Sequence, residues 1–362
     1  MTRALPDFPW DSLAGFKARA QAHPGGIVDL SVGTPVDPVP AGIRAALASV
    51  SDIPGYPATH GTPELRAAAV ESMARRYGVT GLEPDAVVPT IGSKEAVAWL
   101  PRMLGFGPGD LVVIPELAYP TYEVGALLAG AEVVRADGLT QLGPRRPKMI
   151  WLNSPSNPTG KVLPVEHLRK VVDWARQRDV IVASDECYLS LAWDAEPVSV
   201  LHPSVNDGRL DGLLALHSLS KSANLASYRA GFITGDPKLV KRLLEIRKHA
   251  GMIVPRPVQE AMTAALTDDA AAAEQRERYA RRRLVLRKAL QDNGFGISHS
   301  EAGLYLWSSR GEPALDTVAW LAERGILVAP GTFYGPAGGE HVRVALTATD
   351  ERIEAAAERL GS

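Results

Sequence analysis

The chain of 362 residues has one cysteine and no long apolar run. A single cysteine, Cys187, excludes an intramolecular disulfide framework and is typical of a reducing compartment. No stretch approaches the ~18 apolar residues of a membrane span. The first twenty residues also lack an apolar segment long enough for a signal peptide. We therefore expect a soluble, cytoplasmic globular protein.

Excess charge of either sign is also missing, since 39 Lys and Arg residues nearly balance 41 Asp and Glu residues. A field this weak does not favour a nucleic-acid or membrane partner. The basic stretch at 276–288 has Glu274 and Glu277 beside it and fits the solvated face of an amphipathic helix. The histidines show no metal-ligand spacing, so no metal is expected. The expected partners are small molecules and a second copy of the chain.

Short apolar runs alternate with helical patterns between residues 85 and 235. The runs are Val87–Thr90, Leu111–Ile114, Glu132–Arg135, Met149–Leu152, Val180–Ala183, Leu213–Leu216 and Gly231–Thr234. Continuous apolar runs are typical of strands buried on both faces, and helical crossovers between them indicate a mostly parallel sheet. The sequence thus predicts an α/β domain over 46–240. Residues 1–45 and 241–362 are predicted to form a smaller α+β domain.

Two helix starts can be read directly. Thr62 and Pro63 fit the N-cap and first helical position, with Glu64 near the positive helix end. Gly92 and Ser93 fit a turn from a strand into a helix. Such a start can bind an anion through its free N–H groups, but it is also the ordinary form of a capped helix. Spacing alone does not decide between the two.

Polar residues follow two of the predicted strands. The segment NSPSNPTG at 153–160 predicts a rigid turn with its asparagine side chains projecting outward, although a plain turn has the same composition. Asp185, Glu186 and Tyr188 follow the strand at 180–183. Because ligands bind at the carboxyl edge of such sheets, both segments are site candidates. Asp185 could hold a protonated ring nitrogen, bind a metal or cap the next element.

Two cationic segments complete the set. Lys221 lies in a Ser- and Asn-rich loop after an apolar run, with Ser218 before it and Arg229 after it. A lone loop lysine is ordinarily a solvated charge, but this combination can present an amine for Schiff-base chemistry while Ser218 and Arg229 grip a phosphate. Arg343 lies in the alternating segment HVRVALT. Taken alone, that segment favours an exposed Arg on an edge strand, and the alternative is a clamp on a substrate carboxylate.

With NPTG, SDECY, SLSK, the following Arg229 and the late RVAL in this order, the chain resembles the class I and II aminotransferases that use pyridoxal 5′-phosphate (PLP). The resemblance covers nearly the whole length. It implies the aspartate aminotransferase-like fold, known as fold type I, with a mostly parallel seven-stranded sheet in the large domain. It also implies a homodimer with shared active sites.

The resemblance assigns roles residue by residue. Lys221 would be the catalytic residue, joined to PLP as a Schiff base and then carrying a proton. Asp185 would pair with the pyridine nitrogen, and Arg343 would bind the substrate α-carboxylate. The other implied contacts are Asn157 and Tyr188 on the phenolic oxygen, Tyr119 stacked on the ring, Ser93, Lys94, Ser218 and Arg229 on the phosphate, Tyr56 on the phosphate of a partner subunit, and Gly33 and Asn157 beside the substrate.

Longer matching segments of the sequence indicate one group within this family. DLSVGTPVDPVP, IPELAYPTYEVG, HSLSKSANLASYRAG and RGILVAPGTFYGP are similar to actinobacterial succinyldiaminopimelate aminotransferases of lysine biosynthesis. The implied reaction exchanges the amino group of glutamate with N-succinyl-2-amino-6-oxopimelate. Lys94 and Tyr334 are candidate anchors for the distal carboxylates.

Three alternatives share much of this site. An aspartate or aromatic aminotransferase, or a C–S β-lyase, would keep Lys221, Asp185 and Arg343 and differ in the pocket. A PLP-binding regulator would need a DNA-binding domain, and the roughly thirty residues before SVGTPVDP are too few for one.

Cys187 is expected to be a packed strand-end residue, because the chemistry requires no thiol.

Overall fold

The computed structural model describes residues 5–361, so residues 1–4 and 362 of the predicted small domain lie outside the described part. The strands are β1 (Val28–Asp29), β2 (Val87–Ile91), β3 (Leu111–Ile114), β4 (Glu132–Arg135), β5 (Met149–Asn153), β6 (Ile181–Asp185), β7 (Leu213–Ser218), β8 (Ala230–Gly235), β9 (Gly296–Ser298), β10 (Tyr305–Ser309), β11 (Ile326–Leu327), β12 (Ala329–Pro330) and β13 (Val342–Ala345). The α-helices are α1 (Ala14–Gln21), α2 (Ala41–Ser49), α3 (Pro63–Tyr77), α4 (Gly92–Met103), α5 (Thr121–Ala129), α6 (Val165–Arg176), α7 (Pro203–Asn206), α8 (Pro237–Ala250), α9 (Arg256–Thr267), α10 (Asp269–Asp292), α11 (Ala314–Glu323) and α12 (Asp350–Leu360).

A seven-stranded sheet has the order β2-β8-β7-β6-β5-β3-β4. Each apolar run predicted from the sequence forms one of its strands, so the predicted α/β fold is confirmed. Strand β8 pairs antiparallel with both β2 and β7, whereas the other neighbouring pairs are parallel. The carboxyl ends of β5, β6 and β7 therefore meet at one edge.

Helices cover both faces of this sheet because its strands are apolar on both sides. Along β5, Met149 and Trp151 pack into a core with α4, α5 and α8. Ile150 and Leu152 pack into the opposite core with α3, α6 and α9. Helices α8 and α9 thus lie on the large sheet, and the division of the chain at 45 and 240 stays a prediction.

The start of α3 follows the predicted capping pattern. Thr62 Oγ1 accepts a hydrogen bond of 3.1 Å from the N–H of Leu65, and Pro63 takes the first helical position. Gly78 ends the helix in the left-handed region with φ of 64°. The local sequence alone is enough to set both ends of this helix, and the predicted start is confirmed.

A second core joins the two chain ends. Strand β1 pairs in parallel with β11, and a four-stranded antiparallel sheet has the order β12-β13-β10-β9. Leu13 and Leu30 from the N-terminal part share this core with Val318 and Ile353 from the C-terminal part. Strand β13, which carries Arg343, is an interior strand of its sheet.

Across residues 5–361, no helix combines the length and the apolar character needed to cross a membrane. The same residues contain no cluster of three or more His, Cys, Asp or Glu side chains that could hold a metal ion.

Candidate active site

A cavity of about 1280 Å³ lies at the carboxyl edge of the seven-stranded sheet, bordered by β10, β13 and the N-terminal segment. Apart from Tyr56 and the candidate anchor Tyr334, every site residue predicted from the sequence lines it. Those residues are Gly33, Ser93, Lys94, Tyr119, Asn157, Asp185, Tyr188, Ser218, Lys221, Arg229 and Arg343. The fold therefore brings together residues that lie up to about three hundred positions apart. The parallel strands β5, β6 and β7 end at one edge of the large sheet, and the N-terminal segment and β13 add Gly33 and Arg343 to it.

Asp185 ends β6 as a buried carboxylate. Its Oδ2 accepts a hydrogen bond of 2.7 Å from the Tyr122 hydroxyl, and its Oδ1 accepts one of 3.2 Å from the N–H of Cys187. Burial is the main influence on this group and raises its pKa. No basic side chain of the described residues pairs with it. The carboxylate can thus receive a cationic group from the cavity.

Lys221 lies in the loop between β7 and β8, and its Nζ donates a hydrogen bond to the carbonyl oxygen of Gly33. Burial lowers the pKa of the amine. A lone loop lysine is ordinarily a solvated surface charge, but Lys221 is buried in this structure. A buried amine with a lowered pKa can act as a nucleophile or as a base near neutral pH.

The start of α4 and Arg229 form a cradle for an anion. Gly92 has φ of 69°, and its N–H donates to the Arg229 carbonyl over 2.7 Å. A Cβ at this position would lie 2.8 Å from the Arg229 Cζ, so glycine lets the guanidinium lie against the helix start. Ser93 and Lys94 follow in the first turn, whose N–H groups lack intrahelical partners. Ser218, which ends β7, lines the same part of the cavity.

Arg343 is only 2% exposed. Its Nη1 donates to Asn157 Oδ1 over 2.8 Å and its Nη2 donates to the Ser31 carbonyl over 2.7 Å. The guanidinium carbon lies 3.9 Å from the centroid of the Tyr305 ring, and Nε has no hydrogen-bond partner in the described structure. The exposed edge-strand position that the segment alone favoured is wrong, because β13 is flanked by β10 and β12.

The turn at 153–160 differs in part from the prediction. Asn153 does not project outward: its Nδ2 donates to the Asp185 carbonyl over 2.9 Å, and its Oδ1 accepts from the N–H of Asn157 over 2.7 Å. It thus ties the ends of β5 and β6 together. Asn157 does line the cavity, as predicted.

Aromatic side chains complete the walls. Tyr119 lies edge-on to Tyr122, with their ring centroids 5.7 Å apart. The hydroxyl of Tyr188 shares a hydrogen bond of 3.0 Å with that of Tyr305. Tyr56 lies outside the cavity with its side chain fully exposed. Its predicted contact with a partner subunit stays a prediction.

Sequence reasoning missed two of these residues. Tyr122 lies in α5 and is the hydroxyl donor to Asp185, while Tyr305 begins β10 and contacts both Tyr188 and Arg343. Each sits in an apolar segment that is typical of a core. The local pattern gives no signal that their hydroxyl groups face a site.

Comparison with known proteins agrees with this geometry. The family described as aminotransferase class I and II matches residues 26–360. A probable aminotransferase of Mycobacterium tuberculosis is 66% identical over 360 residues, which are 99% of this chain and 86% of that protein. The 4-dedimethylamino-4-oxo-anhydrotetracycline transaminase of Streptomyces rimosus is 58% identical over 358 residues, 99% of either chain.

Among solved structures, a probable N-succinyldiaminopimelate aminotransferase from Thermus thermophilus aligns with a TM-score of 0.87 and 30% identity. The alignment covers 98% of this chain and 99% of that one. The family match spans both sheets and every residue of the cavity wall that the chemistry needs. The chain therefore belongs to the class I and II aminotransferases, which depend on PLP.

Proposed function

We propose that this aminotransferase moves the amino group of glutamate to N-succinyl-2-amino-6-oxopimelate, giving N-succinyl-LL-2,6-diaminopimelate and 2-oxoglutarate in lysine biosynthesis. The observation that carries the chemistry is the meeting of Lys221, Asp185 and Arg343 in one cavity. A buried amine, carboxylate and guanidinium supply a base, a partner for a cationic ring and an anchor for a carboxylate. Few other reactions need all three together.

The cavity fits PLP on several independent observations. Asp185 has no cationic partner within residues 5–361 and can hold a protonated pyridine nitrogen. The N-terminus of α4 and the Arg229 guanidinium against Gly92 offer donors to a phosphate. Ser93, Lys94 and Ser218 extend that cradle, Tyr119 would cover the ring, and Asn157 and Tyr188 would reach the phenolic oxygen. These roles support the proposal residue by residue.

When bound, PLP supplies a carbonyl group for attachment of amino groups and a ring that withdraws electrons. The protein supplies the proton transfers and the orientation. Burial lowers the pKa of the Lys221 amine and so favours its uncharged form, in which Nζ can take a proton from the substrate Cα and return it. Arg343 orients that Cα by holding the neighbouring carboxylate, with its Nε still lacking a partner in residues 5–361. Asn157 steadies the guanidinium from one side.

The substrate carries further carboxylates that need cations or donors. Lys17 and Lys94 line the same cavity, and neither ammonium forms an ion pair within the described residues. Both are suitable anchors for the distal and succinyl carboxylates. Tyr334, the other anchor predicted from the sequence, is fully buried beside Trp307 and does not line the cavity, so that prediction is wrong.

The similarity to the tetracycline-pathway transaminase favours a second candidate, a bulky cyclic ketone as amino acceptor. A cavity of about 1280 Å³ is large enough for either acceptor. The two acceptors differ in charge, because the succinylated acid carries several carboxylates and the cyclic ketone does not. Loss of the lysine cations would therefore weaken binding of the first acceptor selectively.

Steady-state kinetics with glutamate as donor test the proposal. The acceptors to compare are N-succinyl-2-amino-6-oxopimelate, oxaloacetate, an aromatic oxo acid and a polycyclic ketone. We expect the highest kcat/KM with the succinylated acid, and Lys17→Gln should raise its KM without changing that of 2-oxoglutarate. Lys170→Gln is the matched control, since Lys170 is exposed on α6 outside the cavity. A preference for any other acceptor would refute the proposed substrate.

We further propose a cytoplasmic homodimer in which Tyr56 reaches the phosphate of the partner subunit. Ile53 and Tyr56 support it, because both are large side chains exposed on one loop beside α2 and α3. Mixing inactive Lys221→Ala with Tyr56→Ala should regain activity, since one site of each hybrid dimer is intact. A monomer in sedimentation, or no gain on mixing, would refute the shared site.

A further inference from the structure

Tyr305 is a buried phenol inside the cavity to which the proposed chemistry assigns no task. It begins β10, is 4% exposed and pairs with Ala345 of β13 across the sheet. Tyr305 lines the cavity wall. A side chain that only filled the core would not need the hydroxyl, because a buried polar group costs free energy unless it is paired.

The Tyr305 side chain contacts three parts of the site. Its hydroxyl lies 3.0 Å from the hydroxyl of Tyr188. Its ring face lies 3.9 Å from the guanidinium carbon of Arg343, which is within the range of a cation–π interaction. A Cβ at position 33 would lie 2.9 Å from Tyr305 Cζ, so only glycine lets the backbone at this position approach the phenol. The carbonyl oxygen of Gly33 also accepts the hydrogen bond from Lys221.

The direction of the hydroxyl pair follows from the number of protons. A phenol has one O–H to donate. If Tyr188 directs its proton to the phenolic oxygen of PLP, as proposed above, the Tyr188 oxygen must act as the acceptor in its bond with Tyr305. Tyr305 then donates, and the positive guanidinium above its ring strengthens it as a donor.

We propose that Tyr305 is a positioning residue that donates to Tyr188 and carries Arg343 on its ring face, linking the cofactor's phenolic oxygen to the carboxylate anchor. This inference rests on the proposed function for the role of Tyr188. The hydroxyl and the ring have separate effects. The hydroxyl acts on the cofactor through Tyr188, and the ring acts on substrate binding through Arg343.

Two variants separate these effects. Tyr305→Phe keeps the ring and removes the donor, so the bond from Tyr188 to the phenolic oxygen weakens. That oxygen is most negative in the deprotonated cofactor, so a weaker hydrogen bond destabilises the deprotonated form. The pH midpoint of the bound cofactor's visible band should therefore rise by about half a unit or more. The kcat should fall, and the KM for glutamate should change less than threefold. Tyr305→Leu should also raise the KM for glutamate roughly two- to thirtyfold.

Tyr77→Phe is the matched control, because this phenol packs beside His217 away from the cavity and should leave both readouts unchanged. In a Tyr188→Phe background, Tyr305→Phe should not move the midpoint further. An additional shift there would overturn the positioning role, since Tyr305 would then act directly. An unchanged KM in Tyr305→Leu would overturn the link to Arg343.

Failure of the proposed function can be told apart from failure of this inference. Both readouts can be taken from the cofactor band alone or from the half-reaction with glutamate, which needs no oxo acid, so the identity of the acceptor does not enter. A wild-type protein without a visible band would refute the proposed function and the inference together. A yellow protein in which Tyr305→Phe matches Tyr77→Phe would refute the inference alone.

Discussion

Gly92→Ala should weaken PLP binding while leaving the fold largely intact. The added Cβ would lie 2.8 Å from Arg229 Cζ and closer still to its Nη2. The clash is with the end of a flexible side chain, so Arg229 can swing away. The helix start would then keep its N–H groups but lose its guanidinium.

The size of the effect follows from two separate costs. Alanine at a φ of 69° costs about 1–2 kcal/mol of stability, and this cost is the same with and without PLP. Loss of the proposed hydrogen bonds from Arg229 to the phosphate should cost about 1.5–3 kcal/mol of binding free energy. The second cost corresponds to a dissociation constant for PLP raised roughly ten- to 150-fold.

Gly81→Ala provides the control. Gly81 also has a left-handed φ, of 78°, but a Cβ there would meet nothing within 4 Å. Both variants should lose similar stability in urea unfolding of the apoenzyme. Titration of the apoenzyme with PLP, followed by absorbance, should show weaker binding in Gly92→Ala alone. Equal PLP affinity in the two variants would refute the assigned role of Arg229 in the cradle.

Three further substitutions test the buried charges. Asp185→Asn removes the carboxylate that is proposed to pair with the ring nitrogen. It should raise the activation free energy by about 2–5 kcal/mol, which lowers kcat/KM by at least about thirtyfold, while a visible band of bound cofactor remains. Unchanged kinetics would contradict the pairing. Arg343→Gln should raise the KM for glutamate roughly ten- to 150-fold, and an equal KM would exclude it as the carboxylate anchor. Burial raises the pKa of Glu186 from 4.5 to about 7, so its stabilising contribution is complete below pH 4.5 and is lost as pH rises through 7. This loss amounts to roughly 3 kcal/mol of apoenzyme stability between pH 4.5 and pH 8. Glu186→Gln stays uncharged and should reduce the loss, as measured by urea unfolding at the two pH values. An identical loss in the variant would contradict the assignment.

The strands were predictable because their own residues define them. A run such as the one that became β5 is apolar on both faces, and only a strand between two helical layers buries both. Thr62 and Gly78 likewise define the ends of α3 through local hydrogen bonds and backbone conformation. The strand order was not predictable in this way, because the insertion of β8 between β2 and β7 depends on long-range pairing.

The site residues likewise fall into those that local sequence predicts and those that only long-range packing places. Asp185 and Ser218 end their strands and Asn157 follows the end of β5, so a parallel sheet brings all three to one edge. Tyr122 is different, because it lies 63 residues from Asp185 within an apolar helix. Its sequence neighbours predict a core residue, and it is one, fully buried and stacked on Trp151. Only the three-dimensional packing shows that its hydroxyl points at a carboxylate.

The three buried ionisable groups of the cavity explain why the protein should be most stable with its ligands bound. Asp185, Lys221 and Arg343 do not pair with one another; each is held by neutral hydroxyl, amide or carbonyl groups. Neutral partners offset only part of the cost of removing a charge from water. A cationic ring nitrogen beside Asp185 and a carboxylate beside Arg343 would supply the missing opposite charges. The fold thus holds groups whose natural partners belong to the cofactor and the substrate, and this explains why they sit so deep without ion pairs of their own.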